Sequence, residues 1–330
     1  MMMSDLHTPA LEVRDLAKHY PFRRGWFGRG GQGAVHAVDG VSFTLPRGET
    51  LALVGESGCG KSTIAKLILR LIEPTAGSVL LEGTDLAGLD DTALRQARQR
   101  IQMVFQDPFA SLNPRLNAAA IVGEPLVNYG IGDTAARAAQ VDALFDRVGL
   151  ARYQRDRYPH QFSGGQRQRL GIARALALNP AVVVADEPVS ALDVSVQAQI
   201  LNLMADLQRE LGLSYLFISH DLGVVEYIST TVAVMYLGAI VEVAPRQRFF
   251  SAAAHPYARA LLDAVPSPDP ARRRRRILLQ GEVPSASALP SGCRFRTRCP
   301  QATKLCADVV PGLREIAPQH HVACHHVEIA

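Results

Sequence analysis

The chain has 330 residues, of which 48% are hydrophobic and 20% charged, and its formal net charge at pH 7 is +4. This composition excludes a disordered or collagen-like chain, and five cysteines in such a length exclude a disulfide scaffold. At about 150 residues per domain, the length predicts two domains. The longest apolar stretch, 232–241, is shorter than a membrane span, and the first residues have no signal-peptide pattern. We therefore expect a protein without a transmembrane segment or signal peptide.

The excess of positive charge lies at the C-terminal end of the chain. Residues 245–330 carry 13 Lys and Arg against 6 Asp and Glu, and five arginines follow one another from Arg272 to Arg276. Such a run can meet anionic lipid or nucleic acid, but this one has no interleaved aromatic residues and lies beside several prolines. We interpret it as a solvated linker.

Short apolar runs alternate with longer helical periods through the middle of the chain. Runs at 51–54, 181–185 and 213–219 indicate strands, whereas the apolar spacing at 61–72 and 195–211 indicates helices. A further helix is predicted at 163–178, because Asn179-Pro180 follows as a stop. This alternation predicts an α/β fold with a mostly parallel sheet covered by helices. Residues 11–45 form β-like stretches around a Gly-rich loop, and prolines become frequent from 245 onwards. We therefore predict one domain at 1–245 and a C-terminal extension at 246–330.

A phosphate-binding loop follows the first of these strands. The sequence from Gly55 to Ser62 fits G-x-x-x-x-G-K-[ST], with a predicted strand before it and a helix after it. Its glycines allow several backbone N–H groups to face one anion, which the helix N-terminus also favours. Lys61 can reach the β- and γ-phosphates, and the Ser62 hydroxyl can ligate Mg²⁺. The predicted nucleotide-binding positions of the loop are Gly55, Ser57, Gly58, Gly60, Lys61, Ser62 and Thr63.

Two acidic residues end the apolar strand at 181–185. Asp186 is in position to hold Mg²⁺ directly or through water, and Glu187 can polarise an attacking water molecule. With the phosphate loop upstream, this pair predicts a nucleoside triphosphatase site rather than a surface acidic pair.

Further segments, in their order along the chain, resemble the motifs of ABC ATPases. Ser163-Gly164-Gly165-Gln166 resembles the family's signature sequence, Gln106 its Q-loop, and Asp193 its D-loop. His220 resembles the switch histidine, and Tyr20 lies where the family stacks an aromatic ring on adenine. The resemblance implies an ABC-type ATPase fold with an N-terminal antiparallel β subdomain and a helical signature subdomain. It assigns catalytic roles to Glu187 and His220, and places Ser62, Gln106 and Asp186 near Mg²⁺.

The resemblance also implies that two ATPase domains meet head to tail. Each ATP then lies between the phosphate loop of one domain and the segment Ser163 to Gln166 of the other. This chain has one copy of each motif. It must therefore pair with a second ATPase chain, which in this family is more often a related, non-identical subunit.

Other segments narrow the resemblance to the dipeptide and oligopeptide importers, whose second ATP-binding subunit is most similar. The segments are 112–115, 158–162, 185–195 and 255–257. This implies ATP and Mg²⁺ as cofactors and two permeases, a second ATPase and an extracytoplasmic peptide-binding protein in one complex. The segment from Gln106 to Glu124 would receive the permeases' cytoplasmic helices. The chain would then be peripheral, on the cytoplasmic face of the inner membrane.

Alternative functions remain for the same motifs. Relatives in this branch also serve nickel, glutathione or peptide antibiotics, so the cargo stays open. A soluble ABC ATPase of ribosomes or DNA is disfavoured by the single cassette and by the absence of heptads between Lys61 and Asp186. A P-loop kinase has no place for the signature at Ser163 or for His220. We expect no nucleic-acid partner.

Four of the five cysteines fall near the C-terminus. Their spacing does not fit a zinc knuckle, and a reducing cytoplasm disfavours disulfides. The importer branch is known for such a cysteine set, and some members carry an iron–sulfur cluster there. By this resemblance we predict a [4Fe–4S] site, with zinc and plain thiols as alternatives. The predicted ligands are Cys293, Cys299, Cys306 and Cys324.

Overall fold

The computed structural model describes residues 8–23, 32–265 and 281–328. The arginine run Arg272 to Arg276 lies outside these residues. In chain order the strands are β1 (Leu11–Arg23), β2 (Gln32–Leu45), β3 (Thr50–Val54), β4 (Ala76–Leu81), β5 (Thr84–Asp85), β6 (Ile101–Val104), β7 (Val182–Asp186), β8 (Ser214–Ser219), β9 (Thr231–Tyr236), β10 (Ala239–Pro245), β11 (Arg314–Ala317) and β12 (His320–Val322). The helices are α1 (Lys61–Ile68), α2 (Asp91–Ala97), α3 (Pro108–Ser111), α4 (Ala118–Asn128), α5 (Thr134–Arg147), α6 (Gly164–Leu176), α7 (Val194–Leu211), α8 (Leu222–Ile228), α9 (Arg246–Ala252), α10 (Pro256–Ala264) and α11 (Lys304–Asp308).

The chain divides into two compact units, each made of separate segments. The first unit takes the start of the chain, Leu45–Glu49 and Leu81–Ile218. Its strands β6, β7 and β8 pair in parallel, with Val104 beside Ala185 and Ala185 beside Phe217. The residues of β7 and β8 are buried throughout, as expected for parallel strands with both faces covered. Helices α4, α5 and α6 pack together in the same unit and form the predicted helical subdomain.

The second unit takes Glu12–Thr44, Thr50–Leu80 and Ser219–Ala330. Strand β3 pairs in parallel with β9, which continues into antiparallel β10. A separate sheet has the order β2, β1, β4 and supplies the predicted N-terminal β subdomain. The two units therefore confirm the predicted α/β fold, with parallel strand pairs in each unit and an added β subdomain.

The C-terminal segment joins the second unit through both its strands and its core. Strand β12 pairs antiparallel with β10, and β11 pairs with β12. Phe295, which is 1% exposed, belongs to the same apolar cluster as Tyr236 and Tyr257. The segment thus shares the core of the unit that carries the phosphate loop. The boundary predicted near residue 245 remains a prediction.

Most predicted elements appear within one to three residues of their expected ends. Helix α1 is an exception, since it ends at Ile68 where the apolar spacing predicts Ile72. Arg70 turns the chain there with a φ of 51°, in the left-handed region that usually holds glycine at a helix end. None of the helices in the described ranges combines the length and hydropathy that a membrane span requires.

Candidate active site

The phosphate loop connects β3 to α1 in the second unit. Gly55 and Gly60 have φ values of 156° and 112°. A Cβ atom at Gly55 would lie 2.2 Å from the carbonyl oxygen of Met235, and one at Gly60 would lie 2.1 Å from that of Ala37. Both positions therefore require glycine for backbone conformation and for space. Neighbouring backbone therefore packs closely against the loop at both glycines.

Lys61 lies at the first position of α1 with its side chain turned back along the loop. Its Nζ donates to the carbonyl oxygens of Gly55 at 2.7 Å and Glu56 at 3.0 Å. Lys61 as a whole residue is 5% exposed, so its ammonium group lies inside the loop. Among the described residues, no side chain caps the N-terminus of α1. The charge, the glycine-shaped loop and the helix N-terminus together fit the phosphates of a nucleotide.

The second unit also contains the remaining predicted nucleotide-binding residues of the phosphate loop and of β1. Ser57, Gly58 and Ser62 are exposed along the loop, and Thr63 is half-buried. Tyr20 lies on β1 with 41% of its surface exposed, and the Lys18 ammonium group is 5.1 Å from its ring centroid. An exposed aromatic ring of this kind can stack on a base.

His220 is exposed directly after β8, as the sequence predicts. The next residue, Asp221, begins α8 by accepting hydrogen bonds from the N–H groups of Gly223 and Val224. This cap fixes the turn that carries the histidine.

In the first unit, β7 carries Asp186 and Glu187 to its carboxyl end. Asp186 is 6% exposed, whereas Glu187 is half-buried and has a φ of 46°. The Glu187 N–H donates to the carbonyl oxygen of Ile218 at 2.9 Å. Its carboxylate accepts a hydrogen bond of 2.8 Å from the side-chain amide of Gln106. The unit therefore brings the predicted base and the predicted Q-loop glutamine into direct contact.

The signature segment begins helix α6. The Ser163 side chain accepts from the Gln166 N–H at 3.3 Å, and the Gln166 side chain accepts from the Ser163 N–H at 3.0 Å. This reciprocal capping box fixes the first turn of the helix. Ser163 and the two following glycines, which we predict to face a nucleotide in a second subunit, thus sit at an ordered helix start.

The signature helix packs closely against the D-loop helix of the same unit. A Cβ atom at Gly165 would lie 2.4 Å from Cγ1 of Val196, and one at Gly164 would lie 3.2 Å from Leu192. Asp193 caps α7 by accepting from the Val196 N–H, and it also accepts from the Ser195 hydroxyl at 2.7 Å. The Ser195 hydrogen bond lowers the pKa of Asp193 below its usual value. The predicted signature and D-loop therefore meet at one place.

Two arginines of α6 brace the segment that follows Gln106. The Arg167 guanidinium lies 3.5 Å from the ring centroid of Phe109 and donates to the Pro159 carbonyl oxygen at 2.7 Å. Arg174 donates to the carbonyl oxygen of Ser111 at 2.6 Å. Phe109 nevertheless keeps 65% of its surface exposed, which is a large apolar area for a free surface.

The four C-terminal cysteines gather in the second unit as free thiols. Burial raises the pKa of Cys293, and the charges of Cys306, Cys324 and Cys299 would raise it further. Among the residues that the structure describes, no three of these thiols come within 4.8 Å of one another. Thiolates around one zinc ion at about 2.3 Å would be about 3.8 Å apart. The thiols are thus neighbours, but not in the arrangement of a single bound ion.

The histidines near these cysteines have different partners. His320 is 1% exposed and lies 2.8 Å from the buried carboxylate of Glu242. His325 approaches the Val309 carbonyl oxygen at 2.9 Å. His326 contacts a cysteine, because its Nε2 atom lies 3.3 Å from Sγ of Cys306.

Sequence reasoning missed two arginines between Cys293 and Cys299. Arg294 pairs with Asp39, and Arg298 forms two hydrogen bonds with Glu56 inside the phosphate loop. The alternation Cys-Arg-Phe-Arg-Thr-Arg-Cys is visible in the sequence, but partners 242 and 255 residues away are not.

The chain is similar to known protein families and to solved structures. Residues 38–190 match the family described as ABC transporter, and residues 241–306 match the oligopeptide/dipeptide transporter C-terminal region. A solved dimeric ATP-binding cassette with ADP and phosphate superposes with a TM-score of 0.63 at 29% identity, covering 72% of this chain and 98% of that one. The cbiO1 protein of Clostridium perfringens superposes with a TM-score of 0.65 at 26% identity, covering 74% and 92%. Fold and site thus define an ABC-type ATPase, which binds ATP with Mg²⁺.

Curated relatives give the more particular assignment. The chain is 56% identical over 315 residues to a probable peptide ABC transporter ATP-binding protein of Sinorhizobium fredii, covering 96% of this chain and 89% of the relative. It is 52% identical over 318 residues to the oligopeptide transport ATP-binding protein AppF of Bacillus subtilis, covering 96% of both. The chain belongs to the ATP-binding proteins of ABC transporters, in the branch with the oligopeptide/dipeptide transporter C-terminal region.

Proposed function

We propose that this chain is the ATP-hydrolysing motor subunit of an importer for dipeptides or oligopeptides. The observation that carries the proposal is the combination of a glycine-shaped phosphate loop around Lys61 with a C-terminal region of the peptide-transporter type. Relatives named for peptide transport cover 96% of the chain. Nickel, glutathione and peptide antibiotics are the alternative cargoes.

The site residues take the following roles in this proposal. Lys61 and the loop N–H groups bind the phosphates, with Gly55, Ser57, Gly58, Gly60, Ser62 and Thr63 shaping the loop. Tyr20 stacks on the adenine. Ser62, Gln106 and Asp186 would hold Mg²⁺, which would neutralise negative charge on the phosphates. Glu187 accepts a proton from the attacking water, and His220 stabilises the transferred phosphoryl group.

The proposed site needs a second ATPase domain. The segment Ser163 to Gln166 and Asp193 would face the nucleotide held by the partner, while the partner's equivalent segment faces the phosphate loop of this chain. The capped start of α6 supports this role, because a helix N-terminus favours an anion. We propose that the partner is a related, non-identical ATPase subunit.

Membrane permeases are the second kind of partner. We propose that the segment Gln106 to Glu124 receives the permeases' short cytoplasmic helices, and that the exposed ring of Phe109 and the ring of Phe105, next to the segment, offer apolar contact area. An extracytoplasmic binding protein delivers the peptide to the permeases. This places the chain on the cytoplasmic face of the inner membrane, as a peripheral subunit.

We further propose that residues 1–245 are the ATPase domain and 246–330 an extension with a [4Fe–4S] site at Cys293, Cys299, Cys306 and Cys324. The four thiols are neighbours in the second unit, and four cysteine thiolates are the usual ligand set of such a cluster. Iron and sulfide analysis of protein purified without oxygen, together with its electron paramagnetic resonance spectrum after reduction, tests this. Stoichiometric zinc or metal-free thiols would contradict it.

The proposed function is tested by uptake in cells that lack this protein. The cells are complemented with wild type or with Glu187→Gln, and entry of a labelled dipeptide and of labelled Ni²⁺ is measured in parallel. We expect wild type alone to restore dipeptide entry. Dipeptide entry that never depends on the protein would refute the peptide cargo, and a response confined to Ni²⁺ would assign the motor to that cation.

A further inference from the structure

A short segment of the C-terminal region contacts both the phosphate loop and strand β2 in the second unit. This segment, Cys293 to Cys299, carries arginines at alternate positions. Arg298 contacts Glu56 of the phosphate loop, and Arg294 contacts Asp39 on β2. The Arg296 side chain instead donates to Ser291, within the same region of the chain. Two of the three arginines are therefore directed at the site, and the third is not.

The contact between Arg298 and Glu56 has the geometry of a strong ion pair. Nη1 lies 2.8 Å from Oε2 and Nη2 lies 3.1 Å from Oε1, which is the two-pronged arrangement of a guanidinium on a carboxylate. The Arg298 side chain is only 7% exposed. Hydrogen bonding to Glu56 holds the pKa of Arg298 above its usual value. The arginine is thus permanently charged and shielded from bulk water.

Glu56 occupies an unusual place for an acidic residue. It stands between Gly55 and Ser57 in the loop, its carbonyl oxygen accepts from Lys61, and its N–H donates to the Tyr257 hydroxyl at 2.9 Å. A carboxylate in an anion-binding loop repels phosphates, and the repulsion is larger where burial reduces the dielectric screening. Arg298 neutralises the charge of Glu56 inside the loop, where that charge would otherwise weaken phosphate binding.

The second arginine ties the same segment to the adenine side of the site. Arg294 pairs with Asp39, whose other carboxylate oxygen lies 2.9 Å from Nε2 of His19. His19 directly precedes Tyr20 on β1. Burial alone would raise the pKa of Asp39, but the hydrogen bond from His19 and the charge of Arg294 bring it below its usual value. The carboxylate is therefore held ionised between the two partners.

We propose that Arg298 and Arg294 are positioning residues through which the C-terminal cysteine segment sets nucleotide affinity. Arg298 does so by neutralising Glu56 inside the phosphate loop, and Arg294 by fixing Asp39 and His19 next to Tyr20. This inference rests on the nucleotide-binding role proposed for the loop. It gives the C-terminal region a role at the ATP site that is separate from any metal it holds.

The test compares four variants in the full chain. Binding of a fluorescent ADP analogue with Mg²⁺ is titrated for Arg298→Gln, Glu56→Gln, the double variant and the matched control Arg296→Gln. Arg298→Gln leaves a carboxylate unpaired in the loop and should weaken binding by about three- to tenfold, most strongly at low salt. The double variant should return close to wild type, because it removes the charge that Arg298 neutralises. Arg296→Gln should bind as wild type does.

The outcomes separate this inference from the proposed function. Wild-type protein that binds no nucleotide contradicts the proposed function itself. Wild-type binding with unchanged affinity in Arg298→Gln contradicts only the inference. A double variant as weak as Arg298→Gln also contradicts it, because the arginine would then serve the structure alone. Should Arg298→Gln fail to fold, Glu56→Gln and the double variant still test the inference. Both are expected to bind the nucleotide at least as tightly as wild type, and weaker binding by either would contradict it.

Discussion

The side-chain amide of Gln106 donates a hydrogen bond to the carboxylate of Glu187 across 2.8 Å. Glu187 is also fixed through its backbone, which has a positive φ and donates to Ile218. Gln106 lies between Phe105 and Phe109, the rings that we propose meet the permeases. A movement of the segment that contains Gln106 would therefore be transmitted to Glu187, the proposed base, through this hydrogen bond.

The first prediction concerns Glu187 as the base. Glu187→Gln keeps the shape of the side chain but cannot accept a proton, so ATP turnover by the assembled complex should fall by about a hundredfold or more. Nucleotide binding should persist, and the ATPase pair should remain closed on ATP. Phosphate release and retention of labelled ATP on the complex measure the two effects.

An exposed acid of α7 provides the control for this variant. Glu210→Gln, at a carboxylate paired with Arg147 on the surface, should leave turnover unchanged. Normal turnover in Glu187→Gln would remove Glu187 from the mechanism and leave the role of the Gln106 contact without support.

The second prediction concerns the buried charge of the phosphate loop. Lys61→Ala removes the ammonium group that the loop carbonyls hold, and it should weaken nucleotide binding by about tenfold or more. Lys66→Ala changes an exposed lysine of the same helix and should bind normally. Equilibrium titration with a fluorescent nucleotide compares the two. Equal affinities in both variants would refute the assignment of the loop.

The third prediction uses two glycines of the signature helix. Gly165→Ala places a methyl group 2.4 Å from Val196, so it should lower the free energy of unfolding by about 1–3 kcal/mol. Gly171→Ala meets nothing within 4 Å and should raise it by about 0.5–1 kcal/mol, because alanine favours the helix. Urea unfolding followed by circular dichroism measures both. A stabilising Gly165→Ala would contradict the close packing of α6 on α7.

The motifs that we propose bind phosphate and activate water could be predicted from the sequence, because their chemistry demands certain residues at fixed spacing. Lys61, Asp186 and Ser163 all lie at the ends of predicted helices or strands. The end of helix α1 could not be predicted from the sequence, because Arg70 adopts the left-handed conformation that usually requires glycine. Glu242 and His320 show another, because their buried pair joins positions 78 residues apart. Arg298 and Glu56 were missed for the same reason.

The fourth prediction is a pH dependence. The Arg100 hydrogen bond, with help from Arg47, lowers the pKa of Glu82 below its ordinary value of 4.5. The ionised form is therefore favoured in the folded state, so the pair stabilises above pH 4.5 and loses this contribution as the pH falls through the lower folded pKa. Glu82→Gln should reduce the free energy of unfolding by about 0.5–1 kcal/mol at pH 7.

The measurement is urea unfolding of wild type and Glu82→Gln at pH 7 and at about pH 3.5. The difference between the two proteins should shrink at the lower pH. Glu73→Gln, at a carboxylate that is 68% exposed, should differ little from wild type at either pH. A difference for Glu82→Gln that grows on acidification would contradict the ion pair.

The central claim is that ATP hydrolysis by this chain drives peptide import. It is tested most directly by phosphate release from the purified complex of permeases and ATPase subunits in lipid vesicles, with and without the peptide-loaded binding protein. The account predicts that loaded binding protein accelerates hydrolysis and that Glu187→Gln in this subunit abolishes the acceleration. Hydrolysis that ignores the peptide-loaded binding protein, or acceleration that survives Glu187→Gln, would contradict it.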